Sequence, residues 1–242
     1  MAIFQLDDDK LVFPPVSMSE KNGLLAIGGD LSAKRLILGY QSGIFPWFSD
    51  SEQILWWSPD PRNVLYPHEF KIHRSLKKAI KAEKFSLGIN QCFSEVIMRC
   101  ATVPRKDQDG TWILDSMIDA YIELHKLGIA HSFETYMDGV LVGGLYGVAI
   151  GKVFVGESMF SQVSEASKFS MLCLARFCLK SNIDLIDCQI ENPFLLSLGA
   201  SNISRQKYLK KIKSNFTNGD SQPIDWSHKS LDLRTLIHPL KY

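Results

Sequence analysis

The sequence predicts a mixed α/β (α+β) protein with a small N-terminal domain and a larger second domain. Between residues 131 and 190, three strand-like segments, a helical segment and a final strand follow one another, which is typical of a mixed sheet. Turn residues dominate the earlier part of the chain, where the proline-rich run SPDPR ends at Arg62. We therefore predict domains at residues 1–62 and 63–242.

The N-terminal part contains one short predicted helix. Asp30 or Ser32 is expected to cap it, Leu36 and Tyr40 share one of its faces, and it ends at Gly43. The preceding stretch GLLAIGGD is not a phosphate-binding loop, because no Gly-Lys-Ser/Thr sequence follows it.

The next stretch, GIFPWFSDSEQILWWSPDPR, holds three of the chain's five Trp residues: Trp47, Trp56 and Trp57. Its prolines do not suit a long helix or a central strand, so the rings are expected in turns. Packing near the domain junction is the simplest role for Trp56 and Trp57.

A basic amphipathic helix is predicted between residues 71 and 84, because apolar residues recur every four positions and basic residues lie on another face. This face is either solvated or a surface for phosphates. A second basic cluster near the C-terminus leaves the same two alternatives. The basic residues are Arg74, Lys77, Lys78 and Lys81 in the first segment, and Arg205, Lys207, Lys210, Lys211 and Lys213 in the second.

The larger domain is predicted to contain helices at 92–100, 115–127 and 165–180, and a hairpin that turns at Asp138-Gly139. Strands are expected at KVFVGESMF and NIDLIDCQI. This order of strand, helix and strand resembles acetyltransferases that use acetyl-CoA. Their pyrophosphate loop needs glycines, and the loop here, SQVSEASK, has none, which disfavours acyl-CoA as a donor.

Composition excludes several classes of protein. The 242 residues are 45% hydrophobic and 22% charged with a net charge of +1, so a nucleic-acid surface would have to be local. No apolar run reaches the ~18 residues of a membrane span, and the acidic N-terminus predicts no signal peptide. The five Cys form no CxxC pair, which indicates free cytosolic thiols and no metal site.

Three polar residues at strand ends are candidates for chemistry. Glu157 ends an apolar strand, and it lies either in solvent or in a cleft that receives a cationic substrate. Asp187 and Gln189 are two positions apart, so strand alternation predicts that they share a face. That face is either a sheet margin or a ligand site. No GxSxG elbow and no HExxH motif is present.

Ten motifs in the same order resemble the leucyl/phenylalanyl-tRNA–protein transferases, from about Phe13 to Tyr208. They are GLLAIGGDLS, GIFPWF, ILWWSPDPR, GTWI, HSFE, GGLYGV, GESMFS, ASK, LIDCQ and SLGA. The resemblance implies transfer of Leu or Phe, and sometimes Met, from aminoacyl-tRNA to proteins that begin with Arg or Lys, which marks them for N-end-rule degradation. It also implies an acetyltransferase-like (GNAT-like) core without the CoA loop, no cofactor, a monomer and a cytoplasmic location.

The resemblance also implies roles for individual residues. Trp47 and Trp112 match the aromatics that hold the terminal adenosine of the tRNA, and stacking of a base on such a ring contributes ~1–3 kcal/mol. Glu157, Asp187 and Gln189 match the catalytic positions. Because of this resemblance, we expect the predicted basic helix to contact the tRNA acceptor stem through Arg74, Lys77, Lys78 and Lys81.

The donor's apolar side chain needs a pocket. The matching positions are Leu145, Phe154, Met171, Leu174, Cys178 and Ile186. Related sequences are more aromatic or Met-rich here, so we expect a somewhat different pocket shape in this chain. A further departure is Phe194, which stands where the family usually has His.

Two other classes of function remain alternatives. A small-molecule N-acyltransferase would need the acyl-CoA loop that the sequence lacks. A non-catalytic tRNA-binding module would keep the Trp pair and the basic helix without needing Glu157, Asp187 and Gln189.

Overall fold

The computed structural model describes residues 3–49, 53–103, 113–217 and 224–226, and only the backbone of 214–217. Trp112 lies outside the described residues. The first part of the chain forms a four-stranded sheet in the order β1-β2-β4-β3 beside one α-helix. These elements are β1 (Phe4–Leu6), β2 (Leu24–Gly28), α1 (Ala33–Gln41), β3 (Phe45–Pro46) and β4 (Leu55–Trp57).

The remaining strands form a seven-stranded sheet in the order β11-β5-β10-β9-β8-β7-β6, in which β9 and β10 pair in parallel and the other neighbours antiparallel. The strands are β5 (Arg62–Leu65), β6 (Ser86–Ile89), β7 (Ala130–Met137), β8 (Val140–Ile150), β9 (Val153–Ser161), β10 (Leu185–Gln189) and β11 (Ser201–Ile203). The helices are α2 (Arg74–Lys81), α3 (Phe93–Thr102), α4 (Asp115–Lys126), α5 (Ala166–Lys180), α6 (Pro193–Ser197) and α7 (Arg205–Thr217). The mixed α/β class is therefore confirmed, and the boundary at residue 62 stays a prediction.

The structure contains the helix cap and the hairpin turn that short stretches of sequence predicted. Ser32 caps α1 by accepting a hydrogen bond from the backbone N–H of Arg35, at 3.3 Å. Asp138 and Gly139 both have positive φ, 52° and 79°, as a two-residue hairpin turn between right-twisted strands requires.

The basic helix α2 is shorter than predicted. The backbone N–H of Lys71 donates to the carbonyl of Leu198, which draws this residue out of the helix. Glu83, in the left-handed region with φ 48°, ends the helix on the other side.

Helices cover both faces of the large sheet, as strand alternation shows. Tyr146, Val153 and Leu185 pack toward α3 and α4, while their neighbours in sequence, such as Leu145 and Ile186, pack toward α5. The core on the α3–α4 side continues into α1 and the four-stranded sheet. This packing brings the N-terminal elements beside the ends of β9 and β10. Among the described residues, no helix has the length and hydropathy of a membrane span.

Candidate active site

A cavity of about 250 Å³ opens where the parallel strands β9 and β10 separate. Their pairing ends at Asp187 opposite Val155, and β9 then continues along β8 alone as far as Ser161. The cavity therefore lies at the carboxyl end of β10, and this is the end of the strands at which ligands usually bind in α/β sheets. Residues from β3, β8, β9, α5, β10 and α6 line it.

The inner part of the cavity is apolar. Four of the six predicted pocket residues line it: Leu145, Met171, Leu174 and Ile186. The other two, Phe154 and Cys178, are fully buried in the core on the α5 side and are not among the lining residues. Sequence reasoning missed further lining residues, since nothing in their local sequence separates them from core. They include Phe45, Tyr146, Met159 and Leu195.

Trp47 lies at the cavity and is only partly buried. The indole N–H of Trp57 donates to the carbonyl of Trp47 at 2.7 Å, and the two ring centroids are 5.7 Å apart. Trp57 therefore fixes the position of Trp47. Trp56 is completely buried and donates to the carbonyl of Gly28 at 2.9 Å, which confirms its structural role.

Asp187 is fully buried, and four hydrogen bonds hold its carboxylate. The guanidinium of Arg62 donates to both oxygens at 2.8 and 2.7 Å. The hydroxyl of Tyr208 and the backbone N–H of Gln189 donate at 2.5 and 2.9 Å. Burial raises the pKa of Tyr208, and so does the Asp187 charge, so this phenol remains a donor. Each carboxylate oxygen thus accepts two hydrogen bonds, and Asp187 has no free acceptor for a substrate.

Arg62 is buried as completely as its partner. Burial alone would lower the pKa of Arg62, but the Asp187 charge raises it above its ordinary value, so the guanidinium stays charged. The guanidinium also lies 4.8 Å from the ring centroid of Phe45 and 4.5 Å from that of Tyr208. Cations are attracted to aromatic faces at these distances.

Gln189 lies at an irregular end of β10. Its φ is 59°, and the register of β10 against β5 shifts between Asp187 and Gln189. The simple alternation expected for these two residues is therefore interrupted. The Gln189 carboxamide donates to the carboxyl of Glu157 at 3.2 Å, which joins β10 to β9 just beyond the point where their pairing ends.

Glu157 receives hydrogen bonds from two tyrosines on different helices. Tyr40 of α1 donates to one oxygen at 2.8 Å, and Tyr121 of α4 donates to the other at 2.9 Å. Burial is the main cause that raises the pKa of Glu157 to about 7, and the charge of Asp187 adds to it. The two phenols oppose the rise because they stabilise the carboxylate.

Counting protons around Glu157 shows why a neutral carboxyl suits this site. The two phenol oxygens also contact one another, so Glu157, Tyr40 and Tyr121 form a ring with three oxygen–oxygen contacts. With an ionised carboxyl, both phenols donate to Glu157 and no proton remains for the contact between them. A neutral carboxyl contributes the third proton, and every contact in the ring then has one.

The loop before α5 differs from a pyrophosphate site. Glu165 adopts φ 74° at the N-terminus of α5, and its mostly buried carboxylate pairs with Lys168 at 2.9 Å. A helix N-terminus binds anions because of its free N–H groups, and a carboxylate beside it repels them.

The other predicted residues lie away from the cavity. The basic residues of α2 are all exposed: Arg74, Lys77, Lys78 and Lys81. Phe194 packs against the core beside α5 and is not among the residues that line the cavity. In the described part of the chain, no group of three or more His, Cys, Asp or Glu side chains is arranged to hold a metal ion.

Comparisons with known proteins agree along most of the chain. Family models for leucyl/phenylalanyl-tRNA protein transferase and for its N-terminal domain match residues 64–213 and 29–60. A leucyl/phenylalanyl-tRNA–protein transferase of Syntrophobacter fumaroxidans is 49% identical over 215 residues, which cover 89% of this chain and 92% of the relative. One of Flavobacterium johnsoniae is 52% identical over 204 residues, with coverage of 84% and 96%.

Among solved structures, a GCN5-related N-acetyltransferase-like protein from Streptococcus suis is similar, and the alignment covers 67% of this chain and 60% of the chain of that protein. The identity is 13% and the TM-score 0.35. The assignment therefore depends on the family models and the sequence relatives.

The fold and the cavity define an α/β enzyme whose cleft places an apolar pocket beside polar side chains. The matches above give its family. The chain belongs to the leucyl/phenylalanyl-tRNA–protein transferase family.

Proposed function

We propose that this enzyme transfers Leu or Phe, and sometimes Met, from aminoacyl-tRNA to the α-amine of proteins that begin with Arg or Lys. The observation that carries the proposal is one cavity in which an apolar pocket, Trp47 and the polar groups Glu157 and Gln189 meet. The product carries a new N-terminal residue and enters N-end-rule degradation. We place the reaction in the cytoplasm, with the enzyme acting as a monomer and without a cofactor.

On the donor side, Trp47 and Trp112 hold the terminal adenosine of the tRNA. Trp47 lies at the cavity with its ring fixed by Trp57, as a stacking platform requires. The aminoacyl side chain enters the apolar part, where Met171 and Ile186 contact it. Phe154 and Cys178 support this wall from behind and shape the pocket indirectly. The exposed basic face of α2 contacts the acceptor stem through phosphates.

On the acceptor side, Glu157 receives the cationic N-terminal residue. Its hydrogen bonds come from the uncharged groups of Tyr40, Tyr121 and Gln189. A positively charged acceptor therefore supplies the counter-ion for the carboxylate form.

The chemistry is aminolysis of the ester that joins the amino acid to the tRNA. The α-amine has an ordinary pKa near ~8, so its neutral form is accessible at neutral pH. The nitrogen attacks the ester carbonyl, and the ribose oxygen leaves with the proton that the nitrogen loses. The protein orients the reactants and stabilises the oxyanion, and the carboxamide of Gln189 is the group that contacts the reacting centre.

Asp187 positions Gln189 rather than relaying protons. Its oxygens are filled by Arg62, Tyr208 and the backbone of Gln189, which fixes the irregular end of β10. Such preorganised support keeps a catalytic group in its productive geometry.

One assay separates this function from the two alternatives. The protein is mixed with labelled Leu-tRNA and a peptide that begins with Arg, and we expect label to appear in the peptide. Transfer from acyl-CoA instead would indicate a small-molecule N-acyltransferase, which Glu165 at the N-terminus of α5 disfavours. Tight tRNA binding without transfer would indicate a binding module and refute the proposed reaction.

A further inference from the structure

Helix α7 carries a basic face on the outside of the large domain. Residues 205–213 include five basic residues and no Asp or Glu. Arg205 has an internal role, because its guanidinium donates to Ser19 and to the carbonyl of Ser58. Three of the lysines, Lys207, Lys210 and Lys213, are exposed. They are three positions apart and therefore follow one another along one side of the helix.

This helix adjoins the cavity on its buried side. Tyr208 and Ile212 are almost completely buried, and the hydroxyl of Tyr208 donates to Asp187. Leu209 packs against Gly43, whose positive φ makes the turn into β3 and leaves no room for a side chain. The basic face thus lies on a helix whose other face contacts Asp187 in the cavity wall and the turn that leads into β3.

The basic face of α7 also continues toward α2. The ammonium of Lys207 lies 5.9 Å from the ring centroid of Tyr66, at the end of β5. From there the chain runs through the exposed residues Glu69 and Lys71 to Arg74, which begins α2. Lysines of α7 and basic residues of α2 therefore flank the same segment, with one acidic residue between them.

We propose that Lys207, Lys210 and Lys213 bind phosphates of the aminoacyl-tRNA, so that α2 and α7 together form one RNA-binding surface beside the cavity. The inference rests on the proposed function and adds a second contact region to it. At 1.5 Å rise per residue, the three Cα positions span about 9 Å along the helix, a row of like charge that suits a polyanion. Because the whole chain has a net charge of only +1, this attraction is local.

The test combines Lys207→Glu with Lys210→Glu and measures affinity for Leu-tRNA over a series of salt concentrations. The matched control combines Lys34→Glu with Lys126→Glu, which gives the same net charge at exposed positions of α1 and α4. We expect the α7 variant to bind more weakly and its plot of log K against log salt to flatten by about 1.4 to 1.8, which corresponds to two lost phosphate contacts. The control should keep the wild-type slope.

A second donor, the leucyl ester of adenosine, carries no phosphate and needs only the cavity. Its rate of transfer should be the same in the α7 variant and in the wild type. An unchanged salt slope, an equal change in the control, or an equal loss with leucyl adenosine would each overturn the inference. Loss of binding to vesicles of phosphatidylglycerol with tRNA binding intact would assign the surface to a membrane and overturn it too. If the wild type transfers Leu from neither donor, the proposed function fails, while the salt slope still decides whether α7 contacts RNA.

Discussion

Replacement of Glu157 by Gln should make the protein more stable relative to the wild type as the pH rises. Gln resembles the neutral carboxyl and can fill the ring with Tyr40 and Tyr121. In the folded protein the pKa of Glu157 is raised from 4.5 to about 7. Ionisation is therefore harder in the folded state than in the unfolded state. The contribution of neutral Glu157 to the free energy of unfolding is fully present below about pH 4.5, and it is lost as the pH rises through about 7.

The size of the effect follows from the shift in pKa. At about 1.4 kcal/mol per unit, and with some reduction because Glu157 is partly exposed, ionised Glu157 lowers the free energy of unfolding by about 3 kcal/mol. The unfolding free energy of Glu157→Gln minus that of the wild type should therefore grow by about 2 kcal/mol between about pH 5 and about pH 8, because the unfolded chain is already largely ionised at about pH 5.

Urea denaturation of both proteins across this pH range measures the difference directly, because the other titrating groups cancel. Glu123→Gln on α4 is the control, since this carboxylate is exposed and forms only a surface ion pair with Lys126. Its difference from the wild type should stay constant. A difference for Glu157→Gln that is equally constant would refute both the burial argument and the proton count.

Three further outcomes are expected. Asp187→Ala and Gln189→Ala should each lower turnover. Asp187→Ala also leaves a buried guanidinium unpaired, which should lower the free energy of unfolding in urea by about 3–5 kcal/mol. Turnover is therefore compared only after circular dichroism shows that both variants are folded. Normal turnover in both folded variants would contradict the site. Leu145→Met should change the ratio of Leu to Phe transfer from matched tRNAs by up to about tenfold, and an unchanged ratio would remove this position from the pocket. Charge reversal at Lys77 and Lys81 should weaken binding to all tRNA acceptors alike and flatten the salt dependence, whereas an unchanged slope would count against α2.

The sequence was sufficient to find residues whose own neighbours reveal them. Glu157 interrupts an apolar run and Asp187 lies where a strand turns polar, so both could be chosen as candidates. The expectation that Glu157 ends its strand was wrong, because β9 continues to Ser161. The helix cap at Ser32 and the turn at Asp138-Gly139 were also predictable, because a few adjacent residues determine such features.

The partners of these residues could not be predicted, because they are distant in sequence. Arg62 is 125 positions from Asp187, and Tyr40 is 117 from Glu157. Tyr40 resembles an ordinary core residue of an amphipathic helix, and Arg62 resembles a residue of a domain linker. Only the approach of α1 to β9 and of β5 to β10 gives these side chains their roles.

The two carboxyl groups at the cavity have different environments, and this difference explains how one site can both hold its shape and respond to a substrate. Both oxygens of Asp187 accept hydrogen bonds from a buried guanidinium, so the role of Asp187 is fixed by the fold. Glu157 receives hydrogen bonds from uncharged donors, and burial brings its pKa to about 7. Two carboxyl groups whose hydrogen-bond partners differ in this way take separate roles. The hydrogen bonds that Tyr40, Tyr121 and Gln189 donate to Glu157 come from uncharged groups, and an N-terminal Arg or Lys would bring a positive charge to this carboxyl.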